Sequence, residues 1–229
     1  MALQFNKDEV SILKYFATIN PSIKIEPGNE LFTKNLESIV YCKLHKEITD
    51  ELITTNLQGL LNRIALFNGN MPVLDIDHDG LVVTLYDNTD AKKTLTSKFY
   101  LSPPELVDQP NKAPKKRDDK IVEFELKKDI LQTMLKNASC IDNSVIAVEM
   151  KDGEVALKAY NKDVKTSDEV VMKIAECDKD IDYVFNIKKA NLKLPYYDYD
   201  VTIYEAGLIK FSAINSDYEQ LDIYIAKLV

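Results

Sequence analysis

Residues 80–86 read Gly80-Leu81-Val82-Val83-Thr84-Leu85-Tyr86, and residues 207–213 read Gly207-Leu208-Ile209-Lys210-Phe211-Ser212-Ala213. In each stretch a glycine opens an apolar strand, which is typical of the second arm of a β-hairpin. An offset of roughly 120 to 127 residues relates these two stretches and other parts of the chain, and a repeat of that size is a whole domain rather than a solenoid unit. The sequence therefore predicts two copies of one fold.

Further pairs of similar segments surround these two strands. The turn Pro27-Gly28-Asn29 in the first half matches Asp152-Gly153 in the second. Apolar residues at helical spacing predict two helices in each half, at Lys7–Thr18, Asn56–Phe67, Lys127–Ala138 and Lys188–Leu194. Each half is thus predicted to run strand, helix, four strands, helix, three strands. Antiparallel sheets with two helices on one face make an α+β layered architecture.

A proline-rich segment separates the two halves. Four of the eight prolines and the basic cluster Lys115-Lys116-Arg117 lie between Leu101 and Lys120, which indicates an extended connector. We therefore predict an N-terminal domain at 1–101, a connector at 102–120 and a C-terminal domain at 121–229.

Composition and cysteine content restrict the class of protein. With 229 residues and 45% hydrophobic content, each half can bury its own core. No basic leader and no apolar run of about 18 residues is present, so we expect a soluble protein in the cytoplasm. Cys42, Cys140 and Cys177 are odd in number and widely spaced, which favours reduced, half-buried thiols over disulfides or a zinc site.

The distribution of charge indicates a polyanionic partner although the net charge is −8. The four predicted helices carry nine basic residues and three acids, and the basic side chains lie opposite the apolar stripes. Such a surface is expected to neutralise phosphates without reading bases, although lysines on an exposed helix face can also be simply solvated. The residues expected to face DNA are Lys7, Lys14, Arg63, Lys128, Lys136, Lys188, Lys189 and Lys193.

Three segments resemble the sliding clamps of T4-type bacteriophages, the processivity factors of DNA polymerase. They are Leu13-Lys14-Tyr15-Phe16-Ala17-Thr18-Ile19-Asn20, Asn56-Leu57-Gln58-Gly59-Leu60-Leu61 and Phe185-Asn186-Ile187-Lys188-Lys189-Ala190-Asn191-Leu192-Lys193. The resemblance implies a DNA-clamp fold of two duplicated α+β domains, each with antiparallel sheets outside and two helices inside, forming a ring as a homotrimer. The residues alone leave trimer against dimer open.

The resemblance also implies a set of partners. Duplex DNA would thread the ring, the DNA polymerase would be tethered by it, an ATP-driven clamp loader would open it, and late transcription would use it in the infected bacterial host. By analogy with the family, the strand Lys92–Phe99 would pair with the strand near Val170–Ala175 of the next subunit. A partner peptide would dock in an apolar groove near the connector, with Leu101, Leu106, Val107, Leu228 and Val229 as candidates; these five are equally well explained as ordinary core-edge and tail residues.

An enzymatic function has little support in the sequence. The run Asp75-Ile76-Asp77-His78-Asp79-Gly80 begins like an EF-hand loop, but Tyr86 stands where a bidentate Glu is needed, so a hairpin turn is predicted instead. His45 and His78 are the only histidines, and no phosphate loop or triad is present. We expect no enzyme, no metal and no cofactor. The alternative function is an oligomeric phage structural or assembly protein built from the same duplicated domain.

Overall fold

The protein is described by a computed structural model that covers residues 2–77, 79–87, 95–110, 112–142, 144–164, 166–177 and 181–228. The chain divides into two compact units. The first comprises Met1–Pro114 and Asp217–Leu221, and the second comprises Lys115–Ser216 and Asp222–Val229. Within the described residues no helix has the length and apolar character needed to cross a membrane.

The first unit has the predicted order of elements. These are β1 Ala2–Leu3, α1 Lys7–Ile19, β2 Ile23–Ile25, β3 Gly28–Lys34, β4 Ser38–Ile48, β5 Leu52–Thr54, α2 Leu57–Ala65, β6 Val73–Ile76, β7 Val82–Tyr86 and β8 Thr96–Tyr100. One antiparallel sheet has the order β1-β6-β7-β8, so β8 is an edge strand. The pairs β2-β5 and β3-β4 are also antiparallel.

The second unit repeats this order. Its elements are β9 Lys120–Leu126, α3 Lys128–Ala138, β10 Ser144–Lys151, β11 Glu154–Asn161, β12 Glu169–Glu176, β13 Tyr183–Lys188, a 3₁₀ helix Lys189–Leu192, β14 Asp198–Tyr204, β15 Leu208–Ile214 and β16 Gln220–Ala226. One antiparallel sheet has the order β12-β11-β10-β13, with β12 at the edge. In another, β9, β14, β15 and β16 are neighbours in that order.

The helix predicted at Lys188–Leu194 is wrong in type and length. Lys188 is the last residue of β13 and pairs with Val145, and only Lys189–Leu192 form a single 3₁₀ turn. The first residue of the predicted helix therefore belongs to β13. Pro195 directly follows the predicted end of the helix at Leu194 and disfavours a helical conformation there. Apolar residues in so short a segment fit a 3₁₀ turn as well as an α-helix.

Local hydrogen bonds define where the α-helices begin. The side chain of Asn6 accepts from the Glu9 N–H while the Glu9 carboxylate accepts from the Asn6 N–H, a capping box at the start of α1. The side chain of Asn56 accepts from the Gly59 N–H at the start of α2. Lys127 offers no such cap to α3, and the Asp198 carboxylate accepts from the Lys128 N–H instead, at 2.9 Å.

Each unit has its own apolar core beneath its helices. In the first unit α1 and α2 pack against each other and bury Leu13, Phe16, Leu60 and Ile64, among others. In the second unit the buried residues include Leu131 and Met134 of α3 and Tyr199 and Phe211, whose rings meet edge to face at 5.9 Å between centroids.

Two predicted hairpin turns are confirmed. Asp152 and Gly153 both have positive φ, 52° and 75°, as a tight turn between β10 and β11 requires. The acidic run after β6 is a hairpin between β6 and β7. There Asp77 Oδ1 accepts from the N–H groups of Leu81 and Val82, while His78 lies outside the described residues.

The three cysteines differ in exposure. All are free thiols, as predicted: Cys42 is buried, Cys140 is exposed and Cys177 is intermediate. The expectation that all three are half-buried therefore holds only for Cys177. Cys42 belongs to the buried side of β4, whereas Cys140 follows the end of α3.

Candidate nucleic-acid interface

Helix α1 presents lysines on the face opposite its core residues. Lys7 and Lys14 are exposed, whereas Leu13 and Phe16 are fully buried. The two lysines are two helical turns apart and therefore lie on the same side of the helix. Among the residues that the structure describes, neither makes an ion pair. Both ammonium groups are available to an anion outside the protein.

Helix α3 carries one exposed lysine, like those of α1, and one half-buried lysine that contacts neighbouring side chains. Lys136 is exposed. Lys128 is half-buried, with its Nζ 4.7 Å from the centroid of the Tyr196 ring. The Tyr196 hydroxyl donates to Asp129 Oδ1 at 2.5 Å, and this bond raises the pKa of the tyrosine. Tyrosine and carboxylate therefore orient Lys128 at the start of the helix.

The remaining lysines predicted to face DNA flank the 3₁₀ turn. Lys188 and Lys193 are exposed and stand on either side of it. Lys189 is half-buried, and its Nζ donates to the Ala138 carbonyl at 3.4 Å. These three side chains thus belong to a strand end, a turn and a loop rather than to one face of a fourth helix.

Arg63, which was also predicted to face DNA, is instead hydrogen-bonded to the strand β8. Its Nε donates to the Lys98 carbonyl at 3.2 Å, and its Nη1 donates to the Gly59 carbonyl at 3.1 Å. The guanidinium carbon lies 4.9 Å from the centroid of the Phe99 ring. The side chain is half-buried, so Arg63 joins α2 to the edge strand β8.

The helices expose more basic than acidic side chains, although Asp8 and Asp129 are exposed as well. On α2 the Gln58 and Asn62 side chains are bonded to each other at 2.8 Å, and α3 exposes Gln132 and Asn137. The helices as observed carry six basic residues and three acids, a smaller excess than predicted because Lys127, Lys188 and Lys193 lie outside them. One of the acids, Glu9, is buried in the capping box. Such faces can neutralise phosphates without reading bases.

The basic cluster of the connector has a different environment. Arg117 binds Asp119 through two parallel hydrogen bonds of 2.9 Å. This pairing raises the pKa of Arg117 and holds the pKa of the Asp119 carboxyl below its usual range. Lys115 and Lys116 are exposed. One of the three charges is therefore neutralised by a neighbouring carboxylate.

The residues predicted to bind a partner peptide do not all share one environment. In the first unit Leu106 is exposed, and Leu101 and Val107 are half-buried. The Leu101 N–H donates to the Leu81 carbonyl at 2.8 Å, which continues the β7-β8 ladder. In the second unit the half-buried Leu228 donates its N–H to the Asn186 carbonyl at 2.8 Å. Val229 lies outside the described residues.

A concave surface that the sequence did not indicate lies beside the connector in the first unit. We call it the Leu36 groove, and it is lined by Ile19, Asn20, Pro21, Ser22, Lys34, Asn35, Leu36 and Asp108. Leu36 is fully exposed at the turn between β3 and β4. A bulky apolar residue inside the polar turn Asn35-Leu36-Glu37 is the only signal in the sequence that could have identified it.

Hydrogen bonds hold the walls of the Leu36 groove in place. The side chain of Asn35 accepts from the N–H groups of Glu37 and Ser38, at 2.9 and 2.7 Å. The side chain of Asn20 donates to the Lys34 carbonyl at 2.9 Å. Lys34 Nζ pairs with Asp108 Oδ2 at 2.9 Å. Because these bonds fix the turn, Leu36 is presented to solvent in a defined position.

Sequence comparisons support the resemblance to phage clamps over most of the chain. The family described as "gp45 sliding clamp, C terminal" matches residues 123–222. The sliding clamp of Vibrio phage KVP40 is 27% identical over 221 residues, covering 94% of this chain and 97% of that clamp. The sliding clamp of Enterobacteria phage T4 is 23% identical over 224 residues, covering 94% and 95%. The chain resembles the sliding clamps of T4-type phages over nearly its full length, as predicted.

Solved structures identify the fold. A. fulgidus PCNA, determined with the C-terminal region of FEN-1 bound, matches with a TM-score of 0.70 at 7% identity, covering 100% of this chain and 99% of that one. So low an identity is informative about architecture alone. The predicted α+β DNA-clamp fold is confirmed.

Proposed function

We propose that this protein is a non-catalytic sliding clamp that encircles duplex DNA and tethers a replicative DNA polymerase. The observation that carries the proposal is the set of exposed lysines on helix faces opposite the core, Lys7, Lys14 and Lys136, which make no ion pair within the described chain. Weak phosphate contacts that exchange rapidly suit a protein that slides. This role belongs to the cytoplasm of an infected bacterial host.

The ring would close by strand addition between copies of the chain. Among the described residues, the edge strands β8 and β12 each have one neighbour in their sheets, and an unpaired edge is a template for another strand. Residues 92–94 of the strand predicted to pair lie outside the described residues. A head-to-tail contact between unlike edges closes a ring when the rotation between subunits fits. We propose three subunits, as the similarity to phage clamps suggests.

The composition of the two edges supports this pairing. On β12, Val170, Met172 and Ile174 are only half-buried, and Val171 is 52% exposed. Acidic Glu169 and Glu176 stand at its ends. On β8, Lys98 and Tyr100 are exposed. Both acids are already paired within the subunit, Glu169 with Lys158 and Glu176 with Lys173, so the apolar side chains that the subunit leaves uncovered carry the case for this pairing.

The Leu36 groove is the proposed docking site for partner peptides. A. fulgidus PCNA, which has a similar fold, was solved with the C-terminal region of FEN-1 bound, and a short terminal segment is the ligand proposed here too. Leu36 and Ile19 offer apolar surface, and the ion pair of Lys34 with Asp108 stands at the rim. We propose that the polymerase uses this groove. By analogy with the phage relatives, an ATP-driven clamp loader and the late transcription machinery are further partners.

A charge-reversal experiment tests the DNA-facing lysines. The variant Lys14→Glu/Lys136→Glu changes two exposed helix lysines in every subunit, and Lys115→Glu/Lys116→Glu is the matched control on the connector. Processive primer extension with polymerase and clamp loader should fall steeply for the helix variant and little for the control. The loss should depend on salt, since screening at physiological ionic strength acts over roughly 8 Å. A loss confined to the connector variant would show that DNA binds elsewhere.

The assembly is tested separately from DNA binding. Native mass spectrometry at micromolar concentration should give the mass of a trimer, and electron microscopy should show a closed ring with a hole wide enough for duplex DNA. A monomer under these conditions would overturn the ring. A solid oligomer without a hole would favour a phage structural or assembly protein instead.

A further inference from the structure

The register of β8 determines which of its backbone groups point away from the sheet. Residues of an antiparallel pair that bond to the partner alternate with residues whose N–H and C=O point outward. The Leu101 N–H donates to the Leu81 carbonyl, which makes this a bonded pair. Along β8 the bonding then alternates. Tyr100 lies opposite Val82 in a non-bonded pair, Phe99 lies opposite Val83 in a bonded pair, and Lys98 lies opposite Thr84 in a non-bonded pair. Tyr100 and Lys98 therefore direct their backbone groups to the free edge.

Arg63 forms a hydrogen bond with one of these outward-pointing backbone groups. Its Nε donates to the Lys98 carbonyl at 3.2 Å. Its guanidinium also lies over the ring of Phe99, which is the buried residue of β8. The bond from Nη1 to the Gly59 carbonyl holds the guanidinium against its own helix at 3.1 Å. Three contacts thus fix the fork of the arginine before any partner arrives.

We propose that Arg63 is a positioning residue for subunit assembly, which holds β8 in place for the incoming strand of a second copy of the chain. The proposal rests on the ring described above. It assigns Arg63 a role other than contact with DNA.

The physical basis is preorganisation. β8 has five residues and is paired on one side only, by β7, so an unsupported strand would lose conformational freedom when the second copy binds. Arg63 adds an anchor at the middle of the strand and removes part of that loss in advance. A carbonyl oxygen has two lone pairs, so Lys98 can accept from Arg63 and from an incoming N–H together.

Substitution at Arg63 separates positioning from electrostatics. Arg63→Lys keeps the positive charge but lacks the planar fork that reaches Gly59, Lys98 and the Phe99 ring together. Arg63→Ala removes both. Lys14→Ala removes one helix charge per subunit without touching β8. We expect the dissociation constant of the oligomer, measured by mass photometry over a dilution series, to rise roughly tenfold for both Arg63 variants and to stay unchanged for Lys14→Ala.

The outcomes distinguish this inference from the ring itself. If the unaltered protein is monomeric, the proposed ring fails. If the unaltered protein is oligomeric and Arg63→Lys assembles as tightly as it does, charge alone suffices and the positioning role is overturned. Tighter assembly of either Arg63 variant would also overturn it. If Arg63→Ala lowers the melting temperature, the Arg63→Lys result decides, because that variant keeps an aliphatic stem and a positive charge at the same position of α2.

Discussion

Replacing Leu36 with alanine should weaken peptide binding and leave the fold unaffected. The Leu36 side chain is fully exposed in the free protein, so its truncation removes no packed contact. Surface changes of this kind alter the free energy of unfolding by less than about 0.5 kcal/mol. The melting temperature of Leu36→Ala should therefore match that of the unaltered protein.

The effect on binding follows from the same exposure. All the apolar area of Leu36 is available to a partner, and a buried methylene contributes about 0.8 kcal/mol. Removing the three outer carbons of a leucine that becomes largely buried should therefore cost about 2 kcal/mol. This corresponds to a loss of roughly 30-fold in affinity. The large effect on binding and the small effect on folding are the signature of a docking residue.

Fluorescence anisotropy with a labelled C-terminal peptide of the phage polymerase measures this effect directly. Leu66→Ala is the matched control, because Leu66 is an exposed leucine of the same unit at the end of α2 and does not line the groove. Leu106→Ala tests one of the five candidates that the family resemblance suggested. Unchanged affinity for Leu36→Ala, with weakened binding for Leu106→Ala, would refute the assignment of the Leu36 groove.

Three further predictions concern single side chains. Tyr15→Phe should raise the free energy of unfolding by up to about 1 kcal/mol in a urea titration, because the buried Tyr15 hydroxyl has no hydrogen-bond partner in the described structure; a lower midpoint would contradict this. Iodoacetamide should label Cys140 in the native protein long before Cys42, since burial raises the pKa of the Cys42 thiol, and equal rates would show that β4 opens. Asp198→Ala should lower the melting temperature at pH 7, because the Lys128 N–H and then Lys127 hold the Asp198 pKa below its usual value. A carboxyl whose pKa is lower in the folded protein than in the unfolded chain stabilises the fold fully above the unfolded pKa and loses this effect as the pH falls toward the folded pKa. The difference in melting temperature should therefore narrow below about pH 4, and a constant difference down to pH 3 would exclude the carboxylate as its cause.

Patterns that reside in single elements could be predicted from the sequence. The helices α1 at Lys7–Ile19 and α3 at Lys128–Ala138 lie within one residue of their predicted bounds, because apolar residues at helical spacing carry a complete local signal. The duplicated order of elements is also correct, since both halves contain the same signals. The prediction of the fourth helix was wrong because Lys188 pairs with Val145 in the sheet. Helical spacing in the sequence does not reveal such a long-range contact.

The candidate site was only partly predictable. Exposed lysines on α1 and α3 follow from helical periodicity, so Lys14 and Lys136 were identified by their spacing. Nothing in the residues around Arg63 indicates that its guanidinium reaches the carbonyl of Lys98. The Leu36 groove also joins segments that are far apart in sequence, from Ile19 to Asp108. Its concavity is a property of the folded chain, not of a motif.

The composition of the first unit has a consequence for the order of folding during synthesis. Its sheet includes β1, which pairs with β6 about 70 residues later, and such non-local pairing slows folding. The unit also contains Asp217–Leu221, and the Tyr218 hydroxyl donates to the Asp8 carbonyl at 3.0 Å. On the ribosome, the contacts of residues 217–221 with the first unit form only after nearly the whole second half has been made. The first unit is therefore not one continuous half of the chain, and a nascent chain that stalls before Asp217 lacks the bond from Tyr218 to Asp8.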